Sequence, residues 1–148
     1  MDIEGLLADE ERGWLELTGV FGDVPPERFD EPSVTKEGWS PKDVMYHVAG
    51  WCDEAAKVLG RIAAGTHRES DPDIQALNEE WFEAGRGLED DIVRMRFAKG
   101  RVAMRQAFSA LSHVDGNAWE WFEESGPRHY TEHLADLRVF LEQSTDRP

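Results

Sequence analysis

The chain has 148 residues, with 31 acidic side chains against 16 basic ones and a formal net charge of −15. At this length a single domain is expected that buries roughly two-thirds of the unfolded chain's surface, and 40% hydrophobic residues, six Trp among them, exclude a disordered chain. So large an acidic excess repels phosphate backbones and anionic lipid across a Debye length of about 8 Å, so neither nucleic acid nor a membrane surface is expected as a partner.

Apolar residues in the first segment fall at Ile3, Leu6, Leu7, Trp14 and Leu17, a helical spacing that Gly22 and Pro25-Pro26 stop. Phe21 to Gly38 has no period and is expected to run irregularly over the surface or across the end of a bundle. A second helix then starts with Ser40 as N-cap, Pro41 at the first position, Asp43 closing a capping box and Trp39 placed to staple onto Val44. Its stripe is Val44, His47, Val48, Trp51, Ala55, Val58, Leu59 and Ile62, which turns His47 inward, and it fades at Gly65-Thr66.

A short helix is expected next, with Asp71 as cap, Pro72 at its first position, Ile74, Leu77, Trp81 and Phe82 on its buried side, and Gly85 and Gly87 breaking it. A longer helix runs from about Glu89 to Ser112 on a stripe of Val93, Phe97, Met104, Ala107, Phe108 and Leu111, its basic residues Arg94, Arg96, Lys99, Arg101 and Arg105 mostly outside. Asp115-Gly116-Asn117 reads as a loop leading to an aromatic patch of Trp119, Trp121 and Phe122. Ser125-Gly126-Pro127 opens the last helix, with Tyr130, His133, Leu134, Leu137, Phe140 and Leu141 as its stripe. No stretch has a strand pattern. The expected fold is all-α, a four-helix bundle over residues 1–148 with one extra short helix between the second helix and the long third one.

Three of the five histidines stand where a metal ion would want them. His129 and His133 are four apart on the last helix, which brings their Cβ atoms to within about 5–6 Å on one face. His47, inward on a facing helix, supplies a third imidazole and leaves positions open, as in catalytic zinc sites. Neutral ligands leave the ion's charge unbalanced, a strong Lewis acid for a bound water or thiol. Asp43, Glu132 and Asp136 are candidates to orient the imidazoles through their N–H groups. Trp51, Trp81 and Tyr130 are candidate pocket walls.

Other readings of the same residues carry less. His129-Tyr130-Thr131-Glu132-His133 also spells the inverted zinc-protease motif, but that motif needs a ligand from a further element downstream, and the residues that follow continue the same helix. His67 and His113 are expected to be solvated. Cys52 has no second Cys for a disulfide and no basic neighbour to lower its pKa, so it is read as neither redox-active nor nucleophilic. A reducing compartment fits this cysteine usage. With no leader-like opening and no apolar run near the ~20 residues of a membrane span, a cytoplasmic location is expected.

The stretch Trp39-Ser40-Pro41-Lys42-Asp43-Val44-Met45-Tyr46-His47-Val48-Ala49-Gly50-Trp51, with His129-Tyr130-Thr131-Glu132-His133-Leu134 on the last helix, resembles the DinB-like superfamily, and the resemblance covers nearly the whole chain. It implies a four-helix bundle, often homodimeric, that holds a divalent metal through His47, His129 and His133. Some members, such as mycothiol-dependent maleylpyruvate isomerase and bacillithiol transferases, are thiol-dependent metalloenzymes, and the middle segment around Asn78 looks closer to the former. The implied function is a metal-dependent thiol S-transferase or isomerase acting on a small molecule with a low-molecular-weight thiol as co-substrate. The rival expectation is a non-catalytic metal-binding or partner-binding bundle. Zinc and nickel suit three imidazoles, and iron and manganese are also accepted.

Overall fold

The computed structural model describes residues 1–68 and 72–145, and these form six α-helices with no strand among them. The helices are α1 (Ile3–Gly22), α2 (Pro41–Ala64), α3 (Ile74–Arg86), α4 (Asp90–Ser109), α5 (Gly116–Ser125) and α6 (Pro127–Thr145), with a 3₁₀ turn at Pro26–Arg28. The four long helices α1, α2, α4 and α6 form the bundle. α2 packs most extensively on α4, and α1 on α6.

Local chemistry accounts for the helix ends. At the start of α2 the Ser40 hydroxyl accepts from the Asp43 backbone N–H at 3.1 Å while the Asp43 carboxylate accepts from the Ser40 N–H at 2.9 Å, so two of the helix's orphan donors are satisfied. Gly65 ends the helix with φ of +72°, a left-handed conformation that favours glycine. Asp2 caps α1 and Asp115 caps α5 in the same way, at 2.8 and 2.7 Å.

Several expectations are corrected. α3 is capped by Asp73, one residue after Pro72, and Asp71 lies outside the described residues. Gly85 does not break α3; it sits buried in the last turn, where a Cβ would lie 2.7 Å from the Tyr46 ring, and Gly87 is the cap. Ile3 and Ile74 are exposed rather than core. The segment read as a loop and aromatic patch is the helix α5, which buries Ala118 and Phe122, with Phe122 stacked on Phe108 of α4 at 4.2 Å. The irregular stretch after α1 is anchored, because Val24 and Phe29 are buried in it and the Lys42 N–H donates to the Phe29 carbonyl.

Arg101 and Arg105, expected outside, turn inward to a buried carboxylate. Glu10 of α1 is 0% exposed and accepts four hydrogen bonds, from Arg101 Nε (2.9 Å) and Nη2 (2.7 Å), Arg105 Nη1 (2.7 Å) and the Tyr130 hydroxyl (2.8 Å). Arg105 also donates to the Leu7 carbonyl, and Arg101 pairs with Glu11. This cluster ties α1, α4 and α6 together at mid-bundle.

The approach of α3 to α2 depends on Gly50, where a Cβ would lie 2.5 Å from the Trp81 ring. Gly50→Ala adds helix propensity worth up to about 1 kcal/mol but forces the indole aside, so a net loss of about 1–2 kcal/mol is expected. Urea denaturation checks this, and a variant as stable as the parent would show that the indole moves freely.

Candidate metal centre

α2 and α6 bring three imidazoles into one cluster, with His47 82 residues before His129 in sequence. His129 Nε2 lies 2.9 Å from His47 Nε2 and 2.9 Å from His133 Nε2, and one ligand atom from each residue falls within 4.8 Å of the others. His47 and His129 are buried and His133 is half-buried. The Trp39 ring covers His47 at 4.9 Å between centroids and is itself stacked on Phe82 of α3.

The cluster is poorly satisfied by protein alone. A neutral imidazole nitrogen carries one hydrogen or one lone pair, so His129 Nε2 completes a well-formed hydrogen bond with only one of its two neighbours. The Nδ1 atoms of His47 and His133 are buried with no hydrogen-bond partner, a condition that costs about 1–3 kcal/mol for each unsatisfied group. A cation among three lone pairs satisfies all of the Nε2 atoms together, so the residues present fit a divalent metal.

The rings are also held in the ligating form. Burial pushes His47 down to about 3, with repulsion from His133 adding to it. Burial lowers His133 to about 4 against the opposing pull of Asp136. His129 is driven well below its ordinary value, first by burial and then by His133 and His47, with the Ser125 backbone pulling weakly the other way. All three are neutral near pH 7, as metal ligation by imidazole requires.

Beside the cluster lies a cavity of about 1000 Å³. Trp51 lines it and is fixed by donating its indole N–H to the Asn78 side-chain oxygen at 2.9 Å, with Asn78 also in the wall. Trp81 does not line the cavity; it meets Trp51 edge-on at 5.0 Å and braces it. Tyr130, a candidate wall, is fully buried and directed to Glu10 instead. Glu132 stands at the exposed rim, and the Asp43 carboxylate is engaged in the α2 cap rather than on an imidazole. His67, expected in solvent, lines the cavity with its Nδ1 buried and unpartnered, whereas His113 is exposed as expected. Cys52 is fully buried, its thiol pushed up to about 12 chiefly by desolvation, which leaves it unreactive.

A helical bundle with a cavity opening over a three-histidine cluster defines the class: an all-α protein with a candidate metal centre between facing helices. The chain belongs to the mycothiol maleylpyruvate isomerase N-terminal domain family, whose model matches residues 11–140, and so to the DinB-like superfamily. A search of curated proteins found no match. Among solved structures the chain is similar to an uncharacterised protein from Escherichia coli UTI89, at 12% identity and a TM-score of 0.79, covering 97% of this chain and 94% of that one. It is also similar to a point mutant of mycothiol-dependent maleylpyruvate isomerase, at 17% identity and a TM-score of 0.77, covering 93% of this chain and 61% of that one. At these identities the likeness is one of fold. No helix among the described residues is long and apolar enough to cross a membrane.

Proposed function

We propose that the protein is a divalent-metal-dependent enzyme acting on a small molecule with a low-molecular-weight thiol as co-substrate, a thiol S-transferase or isomerase in class. The observation that carries this reading is the set of three neutral imidazoles, His47, His129 and His133, with their Nε2 atoms turned toward one another beside an open cavity. Zinc or nickel is the best match to the donor set, with iron and manganese compatible. When bound, the ion supplies Lewis acidity that lowers the pKa of a thiol or water. The chain's own residues do the rest. Trp51 and Asn78 form a fixed wall, burial around His47 and His129 excludes bulk water, and His67 presents a buried, unpartnered Nδ1 to the cavity as a hydrogen-bonding group for a ligand. A homodimer, the assembly that the family resemblance implies, is part of the proposal.

Elemental analysis of the purified protein is expected to find one ion per chain, and His133→Ala to lose it. Unchanged metal content in that variant sinks the ligand assignment. Retained metal with no turnover of any thiol and electrophile pair in a screen points instead to a structural ion.

A further inference from the structure

The cavity of about 1000 Å³ is far larger than one reacting atom needs, so a ligand there presents a whole body to the walls. Those walls are electrically one-sided. Glu120, Glu124 and Glu132 line the cavity, and no Lys or Arg does so among the described residues. The depth of the groups is also ordered. His47 and His129 are buried, while all three carboxylates are exposed, which places the imidazoles at the floor and the glutamates around the entrance. Glu120 and Glu132 form no ion pair among the described residues. Arg128 reaches Glu124 only at 3.9 Å and sits closer, at 3.1 Å, to Glu123.

We infer that this entrance selects substrates without carboxylates: the electrophile admitted to the cavity is uncharged or cationic, and dicarboxylates are turned away by Glu120, Glu124 and Glu132. The inference rests on the proposed function for the identity of the reacting groups and adds to it the charge class of what enters. An ion held by the three imidazoles would favour a sulfur or oxygen donor at the floor, whereas the body of the ligand would lie nearer the glutamates than the ion. The protein's overall excess of acid does not produce the same selection. Charges elsewhere on the surface are screened within about 8 Å at physiological salt, while the three glutamates stand at the entrance itself. The neutral lining suits an uncharged or cationic body, because Asn78 and Asn117 both donate and accept hydrogen bonds and Trp51 and Trp121 offer aromatic faces to a cation.

Two measurements test this, the first without any metal. Trp51 and Trp121 line the cavity, so the fluorescence of metal-free protein is quenched in turn with caesium, iodide and acrylamide, and their share is taken as the difference from the variant Trp51→Phe/Trp121→Phe. Caesium is expected to quench more than iodide, and the variant Glu120→Gln/Glu124→Gln/Glu132→Gln to raise iodide quenching while leaving acrylamide quenching unchanged. All three positions are exposed, so the variant is expected to keep its fold. An unchanged ratio of caesium to iodide quenching in the variant overturns the inference.

The second measurement follows the visible spectrum of cobalt-loaded protein during titration with 2-mercaptoethanol, cysteamine and mercaptosuccinate. Mercaptosuccinate is expected to bind at least about tenfold more weakly than the other two, with the gap closing in the variant and at high salt. Equal or tighter binding of mercaptosuccinate overturns the charge selection and leaves the metal centre standing. Absence of any cobalt spectrum overturns the proposed metal dependence, and the quenching result then decides the charge selection alone.

Discussion

Replacing Glu10 by Ala is expected to destabilise the fold by about 3–5 kcal/mol, the range for removing one partner of a buried ion pair. The carboxylate is fully buried and is the shared acceptor for Arg101, Arg105 and Tyr130, so its loss leaves two guanidinium groups and a phenol facing a void. Arg101 retains Glu11 at the surface, and Arg105 retains only the Leu7 carbonyl. Against a total stability of about 5–15 kcal/mol for a domain, this is a large fraction. Tyr130→Phe removes one hydrogen bond to the charged acceptor and leaves both cations paired, so a smaller loss of about 1.5–3 kcal/mol is expected. Urea denaturation of the two variants checks the order. A loss below about 1 kcal/mol for Glu10→Ala would place the cluster with exposed salt bridges, which are worth that little.

The same cluster shows where sequence reading stops. The start of α2 and the pairing of His129 with His133 were legible because both are local: a cap and its partner lie three residues apart, and ligands on one helix face lie four apart. The approach of His47 to that pair is a tertiary event between α2 and α6; the inward stripe of α2 made His47 a candidate, and the family resemblance strengthened it. Glu10 lies in register with Leu6 and Leu17, on the buried face of α1, yet a carboxylate there reads as solvated until the basic residues of α4 are known to face it. Arg101 and Arg105 were read outward for the same reason, since composition assigns charge to water and only pairing reverses that.

Two other differences are local but ambiguous. Asp71 and Asp73 flank Pro72, and either is a credible cap. In α5, Gly116-Asn117 reads as a turn, although Asp115 three residues ahead of Ala118, followed by Phe122 and Ser125, carries a cap and a buried face that would have found the helix. His67 gave no signal at all, because it lies beyond the end of α2 and reaches the cavity only through the path of the chain after Gly65.

The histidine cluster predicts how the metal-free protein responds to acid. His47, His129 and His133 have folded-state pKa values below their ordinary one, near 3 for His47, near 4 for His133 and well lowered for His129, each chiefly through burial. Unfolding restores values near 6.5. Above that pH both states are neutral at these sites and stability is indifferent to them. Below it the unfolded chain takes up protons that the folded cluster refuses, so stability falls as the pH drops from about 6.5 toward 4, by on the order of a kcal/mol per group per pH unit. The upper part of this window lies above the ordinary carboxylate range, so the acidic side chains contribute little there. Urea midpoints of metal-free protein are therefore expected to decline steeply from pH 6.5 to 5, and the variant His47→Gln/His129→Gln/His133→Gln to flatten the decline. Zinc added at pH 7 is expected to raise the midpoint of the parent and not of the variant, since an ion bound only by the folded state stabilises it by mass action. A parent midpoint that holds level from pH 6.5 to 5 would mean that the folded cluster accepts protons freely, and such a cluster is too well solvated to be the ligand set described here.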